Sequence, residues 1–487
     1  MSNEIANLEP KLLWENFYKL TQIPRPSKKE LKAAEAVAEF GRSLGLETIQ
    51  DETGNVIIRK PATPGMENKK GVILQGHIDM VPQKNSDKVH DFEKDPIETY
   101  IEDGWVTANG TTLGADNGIG VAAAMAVLQS DDIEHGPLEV LVTIDEETGM
   151  TGANELKPGI LKGDILLNMD SEDEGELYVG CAGGTNANVT FTFKEYPFPS
   201  HNSKAYKLAV TGLKGGHSGL DINIGRANAN KLLFRFLKYA VAKLGVRLSS
   251  VDGGSLRNAI PREAFAIIAV PEENDNKFKE ALKEHEAIFK NEYSSTEPGL
   301  KFDAEEVEHP DFIMNEVVQD DVINSIQACP NGVIRMSADM EGLVETSTNL
   351  AIVKSDKEHV YIHCLIRSSV DTAKEDVESM HESLFRLAGA EINFDGHYPG
   401  WKPNPDSPIL KTMSSVYEKN WGKIPEIKGI HAGLECGILG NTYPKWDMIS
   451  FGPTIRYPHS PDEKVNIESV KKFWEFLVET LKNIPEK

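Results

Sequence analysis

The sequence predicts an α/β protein, with a mainly parallel sheet covered by helices and interrupted by an inserted α+β domain. Two observations lead there. Short, largely apolar runs at residues 72–74, 138–144 and 164–169 alternate with helix-like segments in the first third of the chain, which is the pattern of a sheet buried on both faces. From about residue 185 to 399 the pattern changes to strand-then-helix units, and the last apolar run, 446–451, resumes the first pattern. The expected division is one domain built from residues 1–184 and 400–487, with the inserted domain at 185–399.

Taken in order, residues 29–44 give the clearest helix of an N-terminal helical region. The three apolar runs read as buried strands, and residues 118–129 read as a helix packed between them. In the insertion, apolar strands at 206–210, 264–270 and 359–366 precede helices at 227–239, 276–289 and 372–387. Three such units suggest a diverged internal duplication. A proline- and glycine-rich stretch, 396–408, marks the crossing back. Residues 446–451 then form a strand that returns to the first sheet.

At 487 residues the chain has room for two or three domains, and its 40% hydrophobic and 26% charged residues are ordinary for a globular protein. The net charge of -25 is not ordinary. Such a surface repels nucleic-acid phosphates and anionic lipid, so neither nucleic acid nor membrane is expected as a principal partner. The longest apolar run, 121–128, falls far short of the roughly 20 residues that span a bilayer. With no basic-then-apolar leader at residues 1–10, a cytoplasmic protein is expected. Cys181, Cys329, Cys364 and Cys436 lack paired spacing, which argues against a disulfide framework and against a thiolate zinc site. Asn188-Val189-Thr190 matches a glycosylation sequon and, with no secretion signal, reads as a chance match.

The polar residues fall at telling places. His77 with Asp79, Glu146 with Glu147, and Asp170 each follow one of the apolar strands, and His459 follows the last. In open α/β sheets, sites form at the carboxyl ends of strands. A metal site needs carboxylate oxygens and neutral imidazoles at about 2.0 to 2.2 Å from the ion. Asp116, in Gly114-Ala115-Asp116-Asn117-Gly118, can bridge two ions or simply cap the following helix. Asp145-Glu146-Glu147 can be ligands or a solvated turn. The acidic run from Asp170 to Glu176 resembles a calcium loop, but Cys181 stands where a bidentate Glu is required.

The joint pattern resembles a known family. Gly76-His77-Ile78-Asp79-Met80-Val81-Pro82, Gly114-Ala115-Asp116-Asn117-Gly118, Asp145-Glu146-Glu147-Thr148-Gly149 and His459-Ser460-Pro461-Asp462-Glu463 look like the signature of the co-catalytic zinc peptidases related to aminoacylase, carboxypeptidase G and carnosinase. The resemblance implies two divalent ions, zinc or alternatively manganese or cobalt, bridged by Asp116. His77 and Asp170 would complete one site, and Glu147 and His459 the other. Asp79 would orient His77, and Glu146 would be the general base. It also implies a homodimer whose inserted domain serves as lid and dimerisation domain.

In that domain, Gly215-Gly216-His217-Ser218-Gly219 resembles the family segment whose histidine holds the developing oxyanion, giving His217 that role. Gly216-His217-Ser218-Gly219-Leu220 fails the serine-nucleophile elbow at its last position. Arg257-Asn258-Ala259-Ile260-Pro261 and His431-Ala432-Gly433-Leu434-Glu435-Cys436-Gly437 look like runs of the aminoacyl-histidine dipeptidases. The implied substrates are dipeptides such as β-alanyl-histidine, cleaved by a water that Glu146 activates. Recognising both ends of a dipeptide needs an anion and a cation or amide donor. Glu435 is the candidate for the amino group, and Arg367 and Asn258 for the carboxylate. An N-acyl amino acid deacylase or tripeptidase using the same metals, and a non-catalytic metal or peptide binder, are the alternatives.

Overall fold

The structure is a computed structural model and describes residues 4–487. It divides into two compact units. The first comprises the chain up to Gly180, Pro403–Gly429 and Leu434–Lys487; the second comprises Cys181–Lys402 and Ile430–Gly433. Nothing in the local sequence of the short segment Ile430–Gly433 sets it apart from its neighbours.

The first unit is built on an eight-stranded sheet. Its centre is parallel: Leu138–Thr143, Val72–His77, Ile165–Asn168 and Asp447–Ser450 lie side by side in that order. Val56–Lys60 and Glu47–Gln50 continue one edge antiparallel. Every residue of these three strands from the first third of the chain is buried, as expected of largely apolar strands in a sheet covered on both faces. The predicted return of the last apolar segment is the parallel pairing of Asp447–Ser450 with Ile165–Asn168.

The helix Ala115–Gln129 packs on the His77 strand, Leu31–Ser43 on the Val56 strand, and Pro408–Trp421 on the Asp447 strand. Ala115–Gln129 is apolar all round and almost wholly buried, the composition of a helix enclosed by its neighbours. A separate four-stranded sheet joins Ile455–Arg456 and Lys464–Asn466 to Trp105–Ala108 and Thr99–Glu102, so the chain on either side of His459 is anchored to the first third of the sequence.

The second unit is a nine-stranded sheet with Ala229–Leu244, Asp275–Glu292, Glu316–Ala328 and Asp371–Leu387 as its long helices. Strands such as Gly183–Thr192 alternate buried and accessible residues, so one sheet face carries the core. Phe234, Phe236, Phe278, Phe289, Phe302 and Phe385 fill it. The three expected strand-helix units are present as Ser203–Thr211 with Ala229–Leu244, Ala264–Pro271 with Asp275–Glu292, and His359–Ser368 with Asp371–Leu387. The expectation had no place for Val344–Ser355, whose first half, Val-Glu-Thr-Ser-Thr-Asn, is polar yet buried by pairing on both sides.

Candidate metal centre

The parallel register puts the carboxyl ends of the central strands level. His77 lies opposite Thr143, Gln75 opposite Asn168, and Ser450 opposite Asn168. The residues that follow therefore share one edge, and there the candidates meet. His77 Nε2 lies 3.1 Å from Asp116 Oδ1 and 3.3 Å from Asp170 Oδ1. His459 Nε2 lies 3.3 Å from Asp116 Oδ2 and 3.0 Å from Glu147 Oε2.

Asp116 thus offers one oxygen to each imidazole and belongs to both donor groups, His77/Asp116/Asp170 and Asp116/Glu147/His459. Glu146 sits beside them, within 4.8 Å of His77 and Glu147 measured between donor atoms. Glu147 Oε1 and Asp170 Oδ1 are buried with no hydrogen-bond partner, the condition in which a carboxylate needs a cation. Two imidazoles and three carboxylates around one shared oxygen pair fit two divalent ions of the zinc, manganese or cobalt type.

Local structure holds these side chains. His77 Nδ1 donates to the Asp79 main-chain oxygen at 3.1 Å and lies 3.4 Å from Asp79 Oδ1, which leaves the Nε2 lone pair facing the site. The Asp79 carboxylate accepts from the backbone N–H groups of Glu146 and Glu147 at 3.0 and 3.2 Å and from the Ser27 hydroxyl at 2.8 Å. One carboxylate therefore ties a ligand histidine to both neighbouring glutamates. Asp145 turns away from the site: it adopts a left-handed conformation and its carboxylate accepts from the Thr148 and Thr151 hydroxyls.

Two further residues shape the Asp116 loop. Glu463 is buried, and its carboxylate accepts from four successive backbone N–H groups, those of Leu113, Gly114, Ala115 and Asp116, at 2.7, 2.9, 2.8 and 3.2 Å. The buried Arg25 donates to the main-chain oxygens of Gly114 at 2.6 Å and Ile78 at 2.8 Å, bracing the loop against the His77 strand. Gly114 has a φ of +72°, and a Cβ there would meet Arg25 Nη2 at 2.6 Å, so conformation and space both require glycine. Sequence reasoning assigned no role to either residue. Glu463 stands inside a run already singled out, and its position was the available signal; Arg25, between two prolines, gives none.

The electrostatics follow from crowding carboxylates in a dry site. Burial, opposed by His77, pushes Asp170 up to about 7. Burial also drives Glu146 well above the ordinary carboxylate range, with Asp170, Glu435 and Glu147 adding to the rise. Hydrogen bonds to Asp116 and then Glu147 lift His459 to about 11. Burial would raise Asp79 too, but the His77 ring, the Glu146 N–H and Ser27 outweigh it and hold the group at about 2. Glu435 departs from the expectation that it meets a substrate amino group. It has no accessible surface, and its Oε2 accepts from Gln75 at 2.6 Å and Thr143 at 2.8 Å. A substrate cannot touch it in this structure; burial raises its carboxyl to about 7, and it lies among the charges that surround Glu146.

The remaining candidates belong to the second unit. His217 Nδ1 accepts from the backbone N–H groups of Gly219 and Leu220 at 3.1 and 3.0 Å. A ring nitrogen that accepts twice carries no proton, so the neutral ring holds its proton at Nε2. Burial, helped by Arg367, lowers the pKa of this ring. Arg367 is buried; its guanidinium donates to the Tyr398 hydroxyl at 3.0 Å and to the Ser218 hydroxyl at 3.4 Å, and no carboxylate among the described residues pairs with it. Ser218 is buried beneath that guanidinium and is not placed as a nucleophile. Asn258 is exposed, and its main-chain oxygen accepts from the Ser218 N–H at 2.8 Å.

Comparison with known proteins gives the same reading of the fold. The description "Peptidase family M20/M25/M40" matches residues 73–483. The chain belongs to that family. It is a hydrolase of peptide bonds. It is 48% identical over 485 residues to the cytosol non-specific dipeptidase of Escherichia coli K12, with 100% of both chains covered. A crystal structure of aminoacylhistidine dipeptidase from Vibrio alginolyticus superimposes with a TM-score of 0.96 at 52% identity, covering 99% of this chain and 98% of that one. Aminopeptidase PepT of Bacillus cereus, at 16% identity and a TM-score of 0.58 over 98% of this chain and 99% of its own, shares the fold.

Proposed function

We propose that the protein is a metal-dependent dipeptidase that cleaves aminoacyl-histidine dipeptides such as β-alanyl-histidine. The observation that carries this reading is the convergence of His77, Asp116, Glu147, Asp170 and His459 with Glu146 beside them. The names of two full-length relatives support dipeptides as the substrate class, one a non-specific dipeptidase and the other an aminoacylhistidine dipeptidase, and the second supports the preference for histidine. His77 and Asp170 would hold one ion and Glu147 and His459 the other, with Asp116, which belongs to both donor groups, shared between them. Held there, divalent ions would supply Lewis acidity toward a water and the scissile carbonyl.

The protein's own groups do the rest. Asp79 fixes the His77 ring and the backbone of both glutamates. Glu146, with its proton affinity raised by burial, takes a proton from the attacking water and passes it to the leaving amine. His217, with its proton at Nε2, donates to the carbonyl oxygen as negative charge develops there. Arg367 and Asn258 receive the substrate carboxylate. The protein acts in the cytoplasm as a homodimer, without nucleic acid or membrane as partner.

The test is release of histidine from β-alanyl-histidine by the metal-loaded protein, beside an acetylated analogue and a panel of other dipeptides. Cleavage requiring the free amine, and lowered about 10²- to 10⁴-fold in Glu146→Gln, is expected. Cleavage of the acetylated compound alone would make the protein a deacylase. No cleavage with zinc, manganese or cobalt would make it a binder.

A further inference from the structure

Two cysteines far apart in sequence meet in the core of the second unit. Cys329 follows the helix Glu316–Ala328, Cys364 lies within the strand His359–Ser368, and His381 projects from the helix Asp371–Leu387. All three are buried, and their two sulfurs and one ring nitrogen lie within 4.8 Å of one another. We propose that Cys329, Cys364 and His381 form a further metal site that takes one zinc ion.

The geometry is close to what zinc needs. Tetrahedral bonds of about 2.3 Å to sulfur and about 2.0 Å to nitrogen set the donors roughly 3.5 to 3.8 Å apart, so the cluster closes on an ion with movements of about an ångström or less. The imidazole is oriented for it. His381 Nδ1 donates to the Val377 main-chain oxygen at 2.8 Å, which leaves Nε2 without a proton. Thr348 Oγ1 lies 3.3 Å from that nitrogen and offers an oxygen for the fourth position.

Charge also balances. Zinc with two thiolates and a neutral imidazole is neutral, so the buried site strands no charge, and the two thiol protons leave to solvent on binding. The Lys231 ammonium does not compete as a partner for sulfur. Its three protons go to the main-chain oxygens of Ile326, Gln327 and Cys329 at 2.8, 2.8 and 2.9 Å. Its charge beside Cys329 favours the thiolate form.

Cobalt(II) is the probe, because a thiolate ligand gives cobalt an intense near-ultraviolet charge-transfer band that carboxylate and imidazole ligands do not. The donor groups of the first unit contain no cysteine, so the band reports this site alone. The full chain, produced in cobalt-supplemented medium, is expected to show the band and to keep one cobalt per chain after chelation empties the carboxylate centre. Cys329→Ser and Cys364→Ser are each expected to lose the band and that cobalt while still binding metal at the carboxylate centre. The wild-type spectrum decides the matter even if a variant does not fold. Cobalt uptake without the band would overturn the proposal. Thiol titration of the denatured chain would then show why: four reactive thiols mean an unliganded pair, and two fewer mean a disulfide.

Discussion

Glu463 shows how one side chain can set the geometry of a whole site. Its carboxylate takes four backbone N–H groups in the loop that carries Asp116, and no other side-chain type has two acceptor oxygens and no donor, apart from the shorter Asp. Glu463→Gln turns an NH₂ group toward N–H donors, so at least one donor loses its partner. The loop then shifts, and with it the oxygens shared between both ion positions. Metal affinity is expected to fall about 10- to 100-fold, as for other groups that orient ligands, measured by competition with a chromophoric chelator. Unchanged affinity would show that the loop holds its shape without Glu463. The candidate ligands were legible in the sequence because four of them follow an apolar strand and Asp116 stands in a glycine-bounded turn. Glu463 shares a run with His459, but its role went unassigned because hydrogen bonding to another segment's backbone is not written in the run itself.

At the scale of elements, Asp275 docks a helix onto a sheet. It opens the helix Asp275–Glu292 and accepts from the Tyr206 hydroxyl at 2.6 Å, Lys279 at 2.9 Å and Lys204 at 3.1 Å, two of which lie on the strand Ser203–Thr211. Burial pushes the carboxyl upward, but the hydrogen bonds from Tyr206, Lys279 and Lys204 outweigh it, so Asp275 falls from 3.8 to about 2. Because the folded value lies below the unfolded one, the unfolded chain binds more protons as pH drops. The stabilisation is therefore complete above the unfolded pKa and is lost as pH falls from about 4 toward 2. With both lysines partly exposed, it is on the order of 1 kcal/mol. Asp275→Asn is expected to lower the stability of the second unit by that amount near neutral pH and to differ little from the parent at the acid end. Urea denaturation across the pH range measures the gap, and a gap independent of pH would assign the effect to packing. Sequence periodicity located these elements well where strands were mainly apolar. It missed strands such as Val344–Ser355, which is held by ladder hydrogen bonds on both sides more than by apolar content.

For the molecule as a whole, the five candidate ligands run from His77 to His459 and are drawn from separate segments of the first unit. Ions bound to all of them stabilise the folded state only, by about 4 kcal/mol when free metal is a thousandfold above its dissociation constant. Chelation is therefore expected to lower the thermal midpoint of one calorimetric transition, with zinc restoring it. An unchanged midpoint would mean that the ligand set does not bind metal in solution. The expected homodimer is checked by sedimentation at micromolar concentration, where monomer alone would exclude it.

The sequence by itself determined the class of sheet, the segments that return to it and the donors at its strand ends, because apolar periodicity and strand-end chemistry are local properties. It could not determine what depends on distant groups meeting. The enclosure of Glu435 by Gln75 and Thr143, the grip of Glu463 on the Asp116 loop and the convergence of Cys329, Cys364 and His381 were decided by tertiary structure alone. The spacing of those cysteines argued against a thiolate site, since sequence separation reports on distance only within a turn or hairpin. Across a packed core, distance is set by which elements lie side by side.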